Sequence, residues 1–291
     1  MQLRPTLLLS HVRLKLLARN RSAIFFAIIF PIIFLFIYGF LFARGDPEDV
    51  RFLMGPVVVL TILGSGFWGV GFQIVFWRER NVLRRFRPAP VGARPLLLSG
   101  VLANWVLQVF VVGLEFLLAR LFFHISWPAE PASLFILGSL GLFAFASLGM
   151  VVASITNTMQ ETQVICNLLM FALMFLSGAT VPFAQLPEVI RHVALFLPSF
   201  YLVYATQASI FGAARLRSMV PELAALVITT LVCYLLSLKL FRWDQQMRLS
   251  WRDKAWAVPA VVPFFLLGIW ANLYSDRINQ ALALYRSVIR R

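Results

Sequence analysis

Long apolar runs, each with about the 20 residues that a helix needs to cross a bilayer, recur along this chain and are separated by short polar segments. Of the 291 residues, 60% are hydrophobic and only 13% are charged. That is far too much apolar surface for one water-soluble core. The sequence therefore predicts an all-α integral membrane protein.

Six spans are predicted, at residues 23–43, 52–76, 96–123, 132–154, 162–181 and 222–241. A further apolar run, 255–274, is also long enough to cross the membrane. A crossing would place the four arginines that follow it outside, against the rule that cytoplasmic segments carry positive charge. A re-entrant or surface-lying segment would keep them inside, but length and hydrophobicity favour a true span.

Basic residues give the predicted orientation. With the N-terminus in the cytoplasm, the cytoplasmic segments hold 16 Lys and Arg residues and the outer segments hold six. Residues 1–22 form a basic amphipathic segment in which Arg4, His11, Lys15 and Arg19 share one helical face. This pattern is typical of a helix on an anionic membrane surface, and equally of a basic flank that only fixes orientation. The net charge of +14 follows from this topology, so nucleic-acid binding is not predicted.

The stretch 77–95, WRERNVLRRFRPAPVGARP, is the strongest clue to function, with six arginines and one glutamate between two apolar runs. Because proline lacks a backbone N–H and restricts the residue before it, Pro88 and Pro90 are predicted to end a helix that covers about 78–87. A loop that binds lipid headgroups and only fixes topology remains the alternative interpretation.

The segment 182–221 is too broken for a span and too hydrophobic for an ordinary loop. Two short helices that dip into or lie along the outer interface would satisfy both observations. Its aromatic residues Phe200, Tyr201 and Tyr204 are then expected at the membrane interface.

Small residues in the second span predict that another helix comes close to it. Thr61, Ser65 and Gly69 recur every four residues, and Gly64, Gly66 and Gly71 lie beside them. Side chains this small let the backbone of a neighbouring helix or subunit approach closely.

Two polar stripes lie inside predicted spans. Helical spacing brings Asn104, Gln108 and Glu115 to one face of the third span. The second stripe, in the fifth span, consists of Gln163, Asn167, Met170, Met174 and Ser177. Polar groups in a span seldom face lipid, so the stripes are predicted to face a substrate passage or to form packing seams between helices. Glu115 is also close enough in sequence to pair with Arg120.

No catalytic or metal-binding pattern is visible. The three histidines are far apart, and the two cysteines lie in apolar runs without metal-ligand spacing, so neither a disulfide framework nor a metal site is predicted. No Gly-Lys-Ser/Thr ending of a phosphate-binding loop occurs, so the chain shows no nucleotide site of its own. The sequence predicts a protein that is not itself an enzyme.

The order of these parts resembles the permease subunit of an ABC-2 type ATP-binding cassette exporter over about residues 1–243. The stretches 76–104 and 175–204 carry the resemblance. In the second of them the matching residues are Ser177, Gly178, Pro182, Leu186, Pro187, Pro198 and Tyr201. Asn81 departs from the family pattern, in which a glycine is usual soon after the Arg-Glu pair.

The resemblance implies a domain organisation. Residues 1–22 would be an interface helix, 23–243 a six-span domain with a coupling loop at 77–95 and an outer re-entrant hairpin at 182–221, and 244–291 an added basic loop, hydrophobic helix and tail. The outer re-entrant region would include Gly178, Pro182, Pro187, Pro198 and Tyr201.

The resemblance also implies partners and a function. Two permease chains would pair in the bacterial inner membrane, each on an ATPase subunit that binds ATP and Mg²⁺, and would export an amphipathic, drug-like or lipid-linked substrate. The coupling loop would contact the ATPase through Arg78, Glu79, Arg80, Arg84, Arg85, Arg87, Pro88 and Pro90. The alternative is a transporter or channel driven by an ion gradient, with Glu115 as the ion or proton site.

Overall fold

A computed structural model describes residues 3–86, 92–244 and 255–289, and every regular element in these ranges is helical. The first span contains two π-helical segments, and the second span contains one. In chain order the helices are α1 (Leu3–Arg19), α2 (Arg21–Ile24 continued by Phe25–Ile29, Phe30–Ile37 and Tyr38–Phe42), α3 (Pro47–Glu79), α4 (Val82–Phe86), α5 (Ala93–Phe123), α6 (Pro131–Ile155), α7 (Met159–Phe175), α8 (Glu188–Ala194), α9 (Pro198–Phe211), α10 (Val220–Lys239), α11 (Val262–Tyr274) and α12 (Arg277–Ile289).

Several of these helices suit a membrane by length and composition. Four of them, α3, α5, α6 and α10, are long and apolar enough to cross it. Within the described ranges the number rises to six if the bent pairs α8–α9 and α11–α12 each count as one span, while α7 and the apolar part of α2 are shorter. The multi-pass helical architecture is confirmed, and the six spans at their predicted positions stay a prediction.

Helix α6 lies at the centre of the bundle, packed against α10, α9 and the π-helical segment of α3. The close approach predicted from small residues is confirmed at two of the glycines in that segment. A Cβ atom on Gly71 would lie 2.6 Å from the carbonyl oxygen of Gly149, and one on Gly66 would lie 2.7 Å from the Cβ of Phe145. The absence of a side chain is therefore what allows α3 and α6 to touch.

The helix ends follow from local sequence. Helix α3 starts where the Asp46 carboxylate accepts hydrogen bonds from the backbone N–H groups of Glu48 and Asp49, with Pro47 at the first helical position. Helix α9 ends at Gly212, whose φ of 70° lies in the left-handed region that glycine adopts without strain.

Helices α8 and α9 are bent by 94° with respect to each other, so the segment predicted to be re-entrant does hold two short helices. The prediction of interfacial aromatics was wrong. Phe200, Tyr201 and Tyr204 are buried, because α9 is enclosed by α3, α6 and α10 and every residue from Pro198 to Ile210 is buried. Helix α9 is thus part of the core of the bundle, whereas most of α8 is exposed or half-buried.

Helix α1 packs along α5, and the predicted basic face of Arg4, His11, Lys15 and Arg19 is exposed. Thr6, Ser10 and Arg13 are buried, whereas Leu7 and Val12 on its other side are exposed. An exposed apolar face on a helix beside a membrane bundle suits contact with lipid.

We expect Gly71→Ala to lower the free energy of unfolding by about 1–3 kcal/mol, because backbone atoms of α6 occupy the space that the new methyl group needs. Gly113→Ala is the matched control, since no atom lies within 4 Å of a Cβ atom built there. Thermal unfolding in lipid nanodiscs measures the stability of both variants. Equal midpoints for the two variants would contradict the close packing.

Candidate functional site

The basic stretch folds into two parts at one end of the bundle. Helix α3 ends at Glu79, and the chain turns at Asn81, whose φ of 56° lies in the left-handed region. Glycine and asparagine tolerate this conformation best, which explains how asparagine can replace the glycine usual in the family. The prediction of one helix over about 78–87 was wrong, because this turn separates α3 from the short helix α4.

Arg78 is directed into the protein. It is only 1% exposed, and its guanidinium donates hydrogen bonds to the carbonyl oxygens of Ala153 at 3.0 Å and Thr156 at 2.6 Å. These carbonyls belong to the last turn of α6, where no further helical N–H is available to pair them. A cation at this position also interacts favourably with the helix dipole. Arg78 therefore caps the carboxyl end of α6.

Arg242, just beyond α10, caps the same helix end. It donates to the carbonyl oxygens of Ser154 at 3.0 Å and Thr156 at 2.7 Å, and to Oδ1 of Asn157 at 3.1 Å. Burial lowers the pKa of its guanidinium, and the nearby Glu161 carboxylate opposes that shift. Two arginines from different helices thus share the Thr156 carbonyl.

Glu79 caps the next helix. Its Oε1 accepts a hydrogen bond of 2.7 Å from the backbone N–H of Met159, at the start of α7. The hydroxyl of Thr158 accepts a second one, from the N–H of Glu161. The Arg-Glu pair therefore joins the end of α3 to the turn between α6 and α7. We call the set of Arg78, Glu79, Arg242 and the turn 156–158 the coupling junction.

The remaining residues of the predicted coupling loop differ in exposure. Helix α4 buries Leu83 and exposes Arg84 and Arg85. The side chain of Arg84 is 67% exposed, with its Nε 3.8 Å from Oδ1 of Asp244. The guanidinium carbon of Arg80 lies 4.6 Å from the centre of the Phe76 ring. Arg87, Pro88 and Pro90 lie outside the described residues.

The stripe on α5 is buried against α3. Asn104 lies beside Gly69, where a Cβ atom would overlap its amide group, and Gln108 is 5% exposed. Glu115 is fully buried, and its Oε1 lies 2.6 Å from the hydroxyl of Thr61. This carboxyl group bonds to α3 and not to Arg120, which donates to the carbonyl of Ile125.

The geometry around Thr61 favours a neutral Glu115. The Thr61 hydroxyl also lies 2.9 Å from the carbonyl oxygen of Val57, which can only accept. One hydroxyl has one proton to donate. Both short contacts become good hydrogen bonds if Glu115 carries a proton and donates it to Thr61. A neutral acid also avoids the cost of an unpaired charge inside the bundle.

The structure does not bring the two stripes together. Helix α5 packs against α1, α2, α3 and α6, whereas α7 packs against α3, α6 and α9. On α7 the side chain of Gln163 is exposed, Asn167, Met170 and Met174 are half-buried, and Ser177 beyond its end is buried. The first stripe therefore forms a seam with α3, and the second lies on a face that is open in the single chain.

Most residues of the predicted outer region shape the backbone. Gly178 has a φ of 90°, and Pro182, Pro187 and Pro198 lie at helix starts. The hydroxyl of Tyr201 donates to the carbonyl of Leu195 at 2.8 Å, across the bend between α8 and α9. These residues hold the bent pair in shape.

Sequence analysis did not single out Arg13. It is 2% exposed, donates to Oε1 of Gln73 at 3.1 Å, and its guanidinium carbon lies 4.4 Å from the centre of the Trp77 ring. Its three-residue spacing from Ser10, on the face opposite the exposed leucines, was the only available signal. Arg13 ties α1 to the end of α3.

In the part of the chain that the structure describes, no group of three His, Cys, Asp or Glu side chains is placed to hold a metal ion. Cys166 and Cys233 are buried free thiols.

Comparison with known proteins places this architecture among transport proteins. The family model described as ABC-2 type transporter matches residues 6–211. The inner membrane transport permease YhhJ of Escherichia coli is 23% identical over 174 residues, which is 59% of this chain and 46% of that protein. The linearmycin resistance permease protein LnrN of Bacillus subtilis is 24% identical over 185 residues, 64% of this chain and 46% of that protein.

A third relative, nodulation protein J of Rhizobium leguminosarum bv. viciae, is 29% identical over 126 residues, 43% of this chain and 48% of that protein. The chain thus spans about half the length of the curated relatives that it matches.

Replacing Arg78 with Gln is expected to lower the free energy of unfolding by about 1–3 kcal/mol, because carbonyl groups at the buried end of α6 lose a charged donor. Arg80→Gln removes an equal charge two residues away and should change stability by less than about 0.5 kcal/mol. Chemical denaturation in detergent micelles compares them. An equal loss in both variants would contradict the capping role.

A protonated Glu115 has a spectroscopic signature. The infrared carbonyl stretch of a protonated carboxylic acid should be present in the wild type at neutral pH and absent from Glu115→Gln, with the thermal midpoint of that variant unchanged. Glu48→Gln, at an exposed site, should leave the band in place. Absence of the band from the wild type would show that Glu115 is ionised.

Proposed function

Because the chain belongs to the ABC-2 type transporter family, we propose that it is the multi-pass permease subunit of an ATP-driven exporter in the bacterial inner membrane. A separate ATP-binding cassette subunit would bind ATP and Mg²⁺ and hydrolyse the nucleotide, so this chain would not itself be catalytic. The N-terminus and the coupling junction would face the cytoplasm, in agreement with the distribution of positive charge.

The different positions of the charged residues in the basic stretch support this proposal most directly. Arg78 and Glu79 are held inside the junction, whereas Arg84 and Arg85 project from α4. We propose that the exposed arginines contact an acidic surface of the ATPase, and that the capping pair holds α4 in position. A movement of α4 would then reach α6 and α7 through Arg78 and Glu79, because these contacts join helix ends directly.

The open face of α7 supports a second permease chain as a further partner. Val164 is 59% exposed, Leu168 66% and Phe171 58%, next to the exposed Gln163. A mixed polar and apolar face on a membrane helix would be poorly matched by lipid alone. We propose that the α7 helices of two copies, or of this chain and a related permease, line the passage, with lipid around the remaining apolar faces.

The side chains on that face support a proposal for the substrate class. Met170 and Met174 adapt to varied apolar shapes, and Gln163 and Asn167 offer hydrogen bonds. These groups suit an amphipathic, drug-like or lipid-linked molecule taken from the cytoplasm or the inner leaflet. The names of two relatives refer to linearmycin resistance and to nodulation.

Transport driven by an ion gradient at Glu115 is the second candidate, because an ionisable group inside a membrane protein is a candidate site by default. The geometry counts against it. Glu115 is fully buried, hydrogen-bonded to Thr61 and packed in the seam between α5 and α3. A carboxyl group packed in such a seam has no surface exposed for an ion to bind.

The ATPase contact can be tested by charge reversal. Arg84→Glu combined with Arg85→Glu should weaken co-purification of the ATP-binding cassette subunit about tenfold or more, because like charges would then face each other. Arg215→Glu with Arg217→Glu changes the same charge at exposed positions of the segment between α9 and α10 and should leave the complex intact. Pull-down measures how much ATPase each double variant binds, and ATP hydrolysis measures the activity of each purified complex. If no ATPase binds the wild type, the proposed function fails.

A further inference from the structure

The C-terminal helices α11 and α12 lie beyond the residues that the family model matches. The chain leaves α10 at the coupling junction, where Arg242 is bonded to the end of α6. The other end of the bundle is marked by the start of α3, where Arg51 donates to the carbonyl of Ile210. We call this the far end. The position of α12 shows which of the two ends the C-terminal segment reaches.

Helix α11 resembles a membrane-spanning helix that packs one of its faces against the bundle. Gly268 is buried against the Phe196 ring, which also packs on Phe265 with the ring centres 5.8 Å apart. Leu266 and Leu273 face outward, with 64% and 69% of their surface exposed. The helical rod from Val258 to Tyr274 is about 25 Å long, close to the thickness of the hydrocarbon core.

Helix α12 is held at the far end by a buried ion pair. Nη2 of Arg277 lies 3.4 Å from Oε2 of Glu222, at the start of α10, and the two side chains are 12% and 0% exposed. The same guanidinium carbon lies 5.5 Å from the centre of the Tyr204 ring on α9. Removing one partner of a buried pair leaves an uncompensated charge, which is strongly destabilising. Arg277 therefore links α12 to both α9 and α10.

Three more contacts fasten the segment to the same end. Nδ1 of His192 lies 2.6 Å from Oδ1 of Asn272, whose Nδ2 also donates to the carbonyl of His192. The ring of Tyr285 packs edge-on against Phe52 at the start of α3, with the centres 5.4 Å apart. These contacts reach α8 and α3, so the segment touches four helices, α3, α8, α9 and α10.

We propose that residues 262–286 form a strap. It crosses the membrane from the coupling junction to the far end, bends by 75° after Tyr274, and clamps the α8–α9 pair to α10 through Arg277 and Glu222. The outer end of the passage opens when this clamp loosens. That the far end is the outer side rests on the proposed function, whereas the clamp itself rests on the contacts alone.

The strap resolves a conflict in the sequence. A seventh crossing places positive charge outside the membrane, against the usual preference of Lys and Arg for cytoplasmic segments. Glu222 offsets one of these charges with a buried carboxylate, and α12 is fixed by packing as well as by charge. A local interaction of this kind can outweigh the bias, because the bias reflects a preference summed over all loops.

Topology is tested with single thiols in a background in which Cys166 and Cys233 are replaced by Ala. The thiol introduced by Arg286→Cys should react with a membrane-impermeant maleimide in intact spheroplasts, and the one introduced by Arg85→Cys only after lysis. Labelling of both on the same side would overturn the strap. Labelling of Arg85→Cys outside and Arg286→Cys inside would leave the strap in place and overturn the proposed orientation and function.

The clamp is tested with a reporter thiol on the buried face of the strap. The side chain at position 284 is only 8% exposed, so the thiol introduced by Leu284→Cys should react slowly with the maleimide. Adding Arg277→Glu should speed the labelling about tenfold or more, since it places two carboxylates together. Adding Glu222→Arg as well should restore slow labelling, and Arg286→Glu should have no effect.

A rate that is unchanged by Arg277→Glu would overturn the clamp. The doubly reversed variant guards against a folding defect, because a protein that simply misfolds would not recover slow labelling when the pair is restored. The neutral change Arg277→Gln gives a milder second variant, and labelling at the wild-type rate in that variant would count equally against the clamp.

Discussion

The bundle depends on the pairing of polar groups where helices end inside it. The carboxyl end of α6 is enclosed by α3, α7 and the segment after α10, so its last carbonyl groups cannot rely on water. Arg78 and Arg242 supply donors from two directions, and Glu79 accepts from the start of α7. Without the two arginines, the central helix would end in unpaired carbonyls, and without Glu79 the backbone N–H of Met159 would lose its acceptor. The position of α6, against which several other helices pack, therefore depends on this junction.

Much of the fold was accessible from sequence, because lipid restricts spanning segments to a few solutions. Apolar runs and small residues predicted a multi-pass helical bundle with close packing at Gly66 and Gly71, and the structure agrees. Burial of Phe200 and Tyr201 was not accessible. An aromatic residue in a short broken segment suits the interface as well as the core, and only the packing of α9 among three longer helices decides between them.

The candidate site was predicted less well, because residues of one type serve different purposes at adjacent positions. Arg78 and Arg84 lie in the same charge cluster, yet one caps a helix and the other is exposed. The acceptors of Arg78 are backbone carbonyls more than 70 positions away, and a carbonyl carries no sequence signal. Glu115 shows the same limit, since its partner Thr61 has no recognisable pattern beyond that of a small residue.

The short helix α4 shows why the two groups of arginines must be adjacent. Five residues are far too few for a helix that is stable by itself, so its direction has to come from its attachments. These attachments are the buried Leu83 and the turn at Asn81, which lies two residues after Glu79. A docking surface that moves with its partner transmits the movement only if its base is rigid. In the proposed function, Arg78 and Glu79 would provide that rigid base, and Arg84 and Arg85 would provide the surface.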